Sequence, residues 1–230
     1  MDKRFAALTT AHVADACVRT RLPVRCAPSV VQAVLPGTRV AGRVLPARHV
    51  GSVDVFLEAM EGAQPGDVLV VDNGGRIDES CVGDLIALEA QAAGLDGIVI
   101  WGLHRDTADI TAIGLPVFSM GSVSAGPLSV RDRAADALHA AAVGEWTVSR
   151  DDLVLADEDG VLFIPVARAD EIVAQAETIR DTERRQAARI RGGRSLREQV
   201  QFSAYLAGRA QDPALTFRDH LRAVGGAIEE

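Results

Sequence analysis

Two short apolar runs, Val68-Leu69-Val70-Val71 and Gly97-Ile98-Val99-Ile100-Trp101, limit what this chain can fold into more than any other feature. Each reads as a short strand buried on both faces. Between them, Gly83–Ala93 has helical spacing, with Leu85, Leu88 and Ala92 on one face and Gly94 as its stop. Strand, helix and strand in that order predict a parallel crossover unit of an α/β fold. Eleven helical residues (83–93) span about 16 Å, which matches five strand residues at about 3.3 Å each. The helix start, Gly83-Asp84-Leu85-Ile86, is therefore expected beside the loop Gly102-Leu103-His104-Arg105-Asp106. Open α/β sheets place ligands at that edge.

The flanking segments extend this pattern. Thr9 or Thr10 is expected to cap a first helix, and Val40–Val50 reads as a strand. Ser52 then caps a helix running to Glu61, and Gln64-Pro65-Gly66-Asp67 forms a turn. Leu115–Ser119 and Trp146–Val148 are further strands. Asp152–Ala156 and Val161–Ile164 pair through the turn Asp157-Glu158-Asp159-Gly160. After Pro165 the character changes: a long polar helix over 168–191, the hinge Gly192-Gly193, and helical segments near 195–208 and 216–223. We expect one domain over 1–166 and a helical extension over 167–230. The extension has few large apolar residues for a core of its own, so it should pack on the same domain or on a neighbouring subunit.

Composition excludes several chemistries. Lys3 is the only lysine, so neither an imine-forming pocket nor a Gly-Lys-Ser/Thr phosphate loop can be built. The formal charge of −8 argues against nucleic acid as a partner. No apolar run reaches the ~18 residues that cross a bilayer, and the start Met1-Asp2-Lys3-Arg4-Phe5 lacks an apolar signal region. Cys17, Cys26 and Cys81 have no CxxC spacing. A cytoplasmic protein is expected, without a membrane partner.

The Val68–Asp106 block offers the parts of a ligand site. Free amides at a helix start bind an anion such as a carboxylate, and Gly83 lets it approach the backbone. Arg105 offers a planar fork for a carboxylate or enolate oxygen. Asp106, with Asp84 acting through water, can hold a hard divalent cation. The same residues also suit a plain helix cap and a surface ion pair, and spacing alone leaves both readings open.

The motifs themselves are more specific. Asp84, twenty intervening residues and Arg105-Asp106 resemble the D-x20-R-D signature of the RraA-like family. That family holds the class II 4-hydroxy-4-methyl-2-oxoglutarate/4-carboxy-4-hydroxy-2-oxoadipate aldolases and the RraA regulators of ribonuclease E. Thr9–Ala16, Pro65–Val71, Gly83-Asp84-Leu85, Gly102–Asp106, Leu115–Phe118 and Ala156–Val161 resemble successive motifs of the family, so the likeness covers most of residues 8–165.

The resemblance implies a swivelling β/β/α fold, usually as a trimer or a dimer of trimers, and a metal-dependent lyase acting on a small 2-oxo acid. Backbone at Gly83, Asp84, Leu85 and Ile86 would hold the substrate carboxylate, and Arg105 its keto or enolate oxygen. Asp106 would ligate Mg2+ or Mn2+, and Asp84 would orient water on the metal. Retro-aldol cleavage of a 4-hydroxy-2-oxo acid and decarboxylation of oxaloacetate both leave a pyruvate enolate. The alternative is a non-catalytic regulator that binds a ribonuclease.

His104 departs from the family pattern, which has a small or apolar residue there. It is either a hydrogen-bonded loop histidine or an acid/base or substrate contact. His12, His49, His139 and His220 make no metal spacing and read as surface or capping residues. Cys81 reads as a small buried thiol, and Asp72-Asn73-Gly74-Gly75 as a turn.

Overall fold

A computed structural model describes residues 2–225; Met1 and the end of the predicted extension, 226–230, lie outside the described residues. The chain begins with helix α1 (Thr10–Arg19), strands β1 (Arg25–Cys26), β2 (Gln32–Ala33) and β3 (Val40–Arg48), and helix α2 (Asp54–Glu61). Strands β4 (Val68–Asp72) and β5 (Ser80–Val82) follow, then α3 (Asp84–Ala92), β6 (Gly97–Trp101), β7 (Leu103–His104), α4 (Thr107–Ile113) and β8 (Val117–Ser119). Next come β9 (Ala140–Val143), β10 (Trp146–Ser149), β11 (Asp152–Asp157) and β12 (Gly160–Pro165). Helices α5 (Ala169–Arg191), α6 (Leu196–Gln199), α7 (Phe202–Gln211) and α8 (Phe217–Val224) complete the order.

The main sheet runs β1-β12-β11-β3-β4-β6-β8-β2. Its centre, β3-β4-β6-β8, is parallel, as the crossover unit requires. β11 and β12 pair antiparallel from Asp152↔Pro165 to Asp157↔Gly160, as the turn at Asp157–Gly160 predicts. Alternation sets the layers. Leu69, Val71, Ile98 and Ile100 face α2 and α3, while Val68, Val70 and Val99 face the opposite side with Val143, Val148 and Phe163. Further along, Leu153, Leu155, Leu162 and Ile164 meet α1 and α5. The sheet curls around the second of these clusters, and helices cover its outside.

Several local expectations are corrected. On α3, Leu85 and Leu88 are exposed (73% and 46%), and Ala92 is exposed too; Ile86, Ala87 and Ala90 are the buried face. The helix turns Ile86 and the two alanines toward the sheet and leaves the leucines outward. Helix α2 begins at Asp54 with Val53 at its cap; Ser52 stands too early to cap it. The segment near 195–208 is two helices, because Gln201 takes a left-handed φ of 50° between them. The start of the extension packs on the preceding domain, and its end gathers rings of its own. Ala169, Ile172, Ala176 and Ile179 of α5 pack with Phe5, Leu8 and Val13, and α7 and α8 join Phe202, Tyr205, Phe217 and His220 in a ring cluster. Thr9 caps α1 in a capping box with His12, whose Nε2 meets Glu183 of α5 at 3.2 Å.

Candidate active site

The site begins where β4 and β6 end. Past Asp72 and Trp101 the chain makes a second, small parallel sheet of β5 and β7, with Ser80 opposite Leu103 and Val82 opposite His104. The Arg105 amide donates to the Val82 carbonyl (2.9 Å), which carries the pairing to the start of α3. Gly83 and the pair Arg105-Asp106 are thereby pressed together. A Cβ at Gly83 would lie 2.5 Å from Asp106 Oδ2 and 3.4 Å from Arg105 Cγ and Nε. Gly83 has an extended φ of −126°, so its glycine is needed for space rather than for conformation.

Helix α3 starts at this glycine without a side-chain cap, and its first intrahelical bond is Ala87 N–H to Gly83 C=O. The amides of Asp84, Leu85 and Ile86 therefore have no acceptor within the helix. The Leu85 side chain points outward and that of Ile86 is buried, so these two offer a ligand their backbone only. Asp84 stands half-buried at the first helical position.

Asp106 sits at φ 58°, ψ 40°, at the cap of α4, yet its side chain makes no cap hydrogen bond. A left-handed aspartate of this kind holds strain of order 1 kcal/mol, and its carboxylate is left for other work. Arg105 Nε lies 3.4 Å from Asp106 Oδ2, with both side chains partly exposed, so the pair adds little stability. On its far side the Arg105 guanidinium rests on Gly126, where a Cβ would be 2.9 Å from Nη1. Three amides and one guanidinium, all donors, thus stand at an open cleft with two carboxylates, which accept. Among the described residues no three His, Cys, Asp or Glu side chains gather as a metal cage. Asp106 and Asp84 bring carboxylates to this helix start.

His104 is buried beside Asp106. Its Nδ1 bonds Ser119 Oγ (2.7 Å) and its Nε2 bonds Thr107 Oγ1 (3.0 Å), so both ring nitrogens are used in holding β7 to β8 and α4. Burial pushes its pKa below the ordinary histidine range. His49 is buried as well, stacked on Phe56 at 5.2 Å and bonded to Asn73 Oδ1 (2.8 Å), which corrects its surface reading; His220 is buried likewise. Cys81 is buried, and burial raises its thiol pKa. Asn73 in turn packs against Gly102, where a Cβ would lie 2.8 Å from Asn73 Cβ. Sequence reasoning did not single out Gly126, Ser119 or Thr107. Gly126 lies in a loop and Ser119 ends β8, each far along the chain from its partner, whereas Thr107 opens α4 three residues after His104.

A family profile described as RraA-like, "Aldolase/RraA", matches residues 10–163. Protein DlpA of Legionella pneumophila is 33% identical over 131 residues, a stretch that covers 57% of this chain and 21% of DlpA. A protein of Aromatoleum aromaticum named "Putative 4-hydroxy-4-methyl-2-oxoglutarate aldolase" is 34% identical over 122 residues, covering 53% of this chain and 75% of that protein. Among solved structures, Streptomyces coelicolor RraAS2 superposes with a TM-score of 0.69 and 28% identity, over 79% of this chain and 92% of its own. It is described as an unusual member of the RNase ES inhibitor RraA protein family.

Proposed function

Because the chain belongs to the RraA-like family, we propose that it is a divalent-metal-dependent lyase that releases pyruvate from a small 2-oxo acid. The observation that carries this reading is the convergence at Gly83, where Arg105 and Asp106 occupy the space a side chain would take beside three unpaired amides. Amides of Asp84, Leu85 and Ile86 hold the substrate carboxylate, and Arg105 faces the adjacent keto oxygen. In a 4-hydroxy-2-oxo acid the C3–C4 bond then breaks, its electron pair stays on C3, and the C4 hydroxyl proton leaves to base. In oxaloacetate the same bond breaks with loss of carbon dioxide. Either way a pyruvate enolate forms and is protonated at C3. Arg105 is aimed at the oxygen where that charge grows.

Asp106 fits Mg2+ or Mn2+, hard cations that keep several waters and need few protein ligands. Its carboxylate caps nothing and stands at the cleft. A bound cation supplies Lewis-acid neutralisation of the keto oxygen. Asp84 serves by orienting water at the cleft edge. We take 1–166 as the catalytic unit and 167–230 as its extension. Among the described residues no helix is long and apolar enough to cross a membrane. Three free thiols accord with a reducing cytoplasm.

The proposal includes a homo-oligomer, a trimer or a dimer of trimers. Leu57, Leu85 and Leu88 line an open groove of about 660 Å³ beside Asp84, and this apolar surface adjoining the cleft suits a second copy. The test of function is pyruvate release from oxaloacetate and from 4-hydroxy-4-methyl-2-oxoglutarate, with Mg2+ or Mn2+ and with chelator. Metal-dependent release is expected. No release from either acid, together with tight binding to a ribonuclease, would instead favour the regulator reading that the RraAS2 likeness supports.

A further inference from the structure

A carboxylate outside the cleft has no part in that chemistry, yet it is the most buried charged side chain near it. Glu79 is 0% exposed. Its Oε2 accepts the Leu128 amide at 2.8 Å, and its Oε1 lies 2.9 Å from the Arg76 guanidinium. Next along the chain, Ser80 sends both its amide and its hydroxyl to the Ala125 carbonyl, each at 2.8 Å. Two adjacent residues thus hold both ends of the short stretch 125–128. Gly126 lies between those anchors, and it is the surface on which the Arg105 guanidinium rests. Leu128 is itself 64% exposed, so packing of its side chain does not hold this stretch down.

Burying a carboxylate is costly unless it is paired and hydrogen-bonded. A fold that needed only to close this loop could use an apolar residue at position 79. The pairing with a backbone amide is directional, and it sets the height of Gly126 above Arg105. We propose that Glu79 is a positioning residue: it orients the Arg105 guanidinium by clamping 125–128 against it. Arg105 is then held between two glycines, Gly83 on one side and Gly126 on the other, and Glu79 fixes the spacing. Its kinetic consequence rests on the lyase reading; its structural consequence does not.

The experiment uses Glu79→Gln, which keeps the shape but weakens the pull on the Leu128 amide. Leu128→Pro removes that amide from the other side and serves if the first variant does not fold. Two readouts are taken: the Arg105 Nε–H resonance in a 15N-edited spectrum, assigned with Arg105→Lys, and steady-state kinetics with oxaloacetate and Mg2+. The expected result is a displaced Arg105 resonance and a kcat lower by about tenfold at little-changed KM. Added to Arg105→Lys, Glu79→Gln should slow the enzyme no further, because both act through one guanidinium. An unmoved Arg105 resonance, or losses that multiply in the double variant, overturns the proposal. If the wild type cleaves no 2-oxo acid, the lyase reading fails and the resonance alone decides the role of Glu79.

Discussion

At Gly83 the absence of a side chain leaves the space that Asp106 and Arg105 occupy. Gly83→Ala puts a methyl within 2.5 Å of the Asp106 carboxylate, which is partly exposed and can move aside. Turnover should therefore fall far more than Tm, a split that paired rate and melting measurements would reveal. Asp106→Ala should abolish metal-dependent turnover and leave the fold intact, since the carboxylate caps no helix. Full activity in that variant, or in excess chelator, would remove the metal from the mechanism. Arg105→Lys keeps the charge and loses the planar fork. A kcat loss worth about 2–4 kcal/mol, larger than any loss of affinity, is the scale for one preorganised oxyanion donor. An unchanged kcat would mean that the guanidinium is not directed at the enolate.

The elements around the cleft are tied by groups that titrate. His104 links β7 to β8 and α4 through Ser119 and Thr107, and burial lowers its pKa from 6.5 in the folded chain. The folded state thus binds its proton less readily than the unfolded chain does. Stability from this link is present above pH 6.5 and is lost as the pH falls below that value toward the lowered folded pKa. His49 is depressed for the same first reason and adds to the slope. Tm should fall between about pH 7 and about pH 5, and His104→Asn should flatten that fall. A wild-type Tm independent of pH across this range would refute the role. Helix α3 shows how an element serves two neighbours. Ile86, Ala87 and Ala90 meet the core, while Leu85 and Leu88 face outward.

For the whole molecule, those outward leucines are the surface on which the proposed assembly rests. Light scattering at micromolar concentration should give a multiple of 24.3 kDa, most simply three. Leu57→Glu combined with Leu88→Glu, both in the exposed groove, should lower that mass and expose the cleft. A fully active 24.3 kDa monomer would contradict the assembly. The extension is part of the body of the molecule. The first half of α5 seals the layer over β11 and β12, while α7 and α8 carry a ring cluster of their own.

The order of buried strands, the crossover helix and the meeting of Gly83 with Arg105-Asp106 were all legible in the amino-acid order. They rest on local periodicity, on strand and helix lengths, and on a motif with fixed spacing. Which face of α3 turns inward was not legible, because Leu85-Leu88-Ala92 and Ile86-Ala87-Ala90 are both apolar and only the sheet chooses between them. The small β5–β7 sheet, helix α4 and the far anchor of Arg105 were equally hidden. Their partners lie 15 to 49 residues apart, as between His104 and Ser119 or Glu79 and Leu128, and no local pattern encodes such a pairing. Residue chemistry supplied the reactive groups. Long-range packing decided which groups gather at Gly83 and which, like His104 with Ser119 and Glu79 with Leu128, are tied to distant segments.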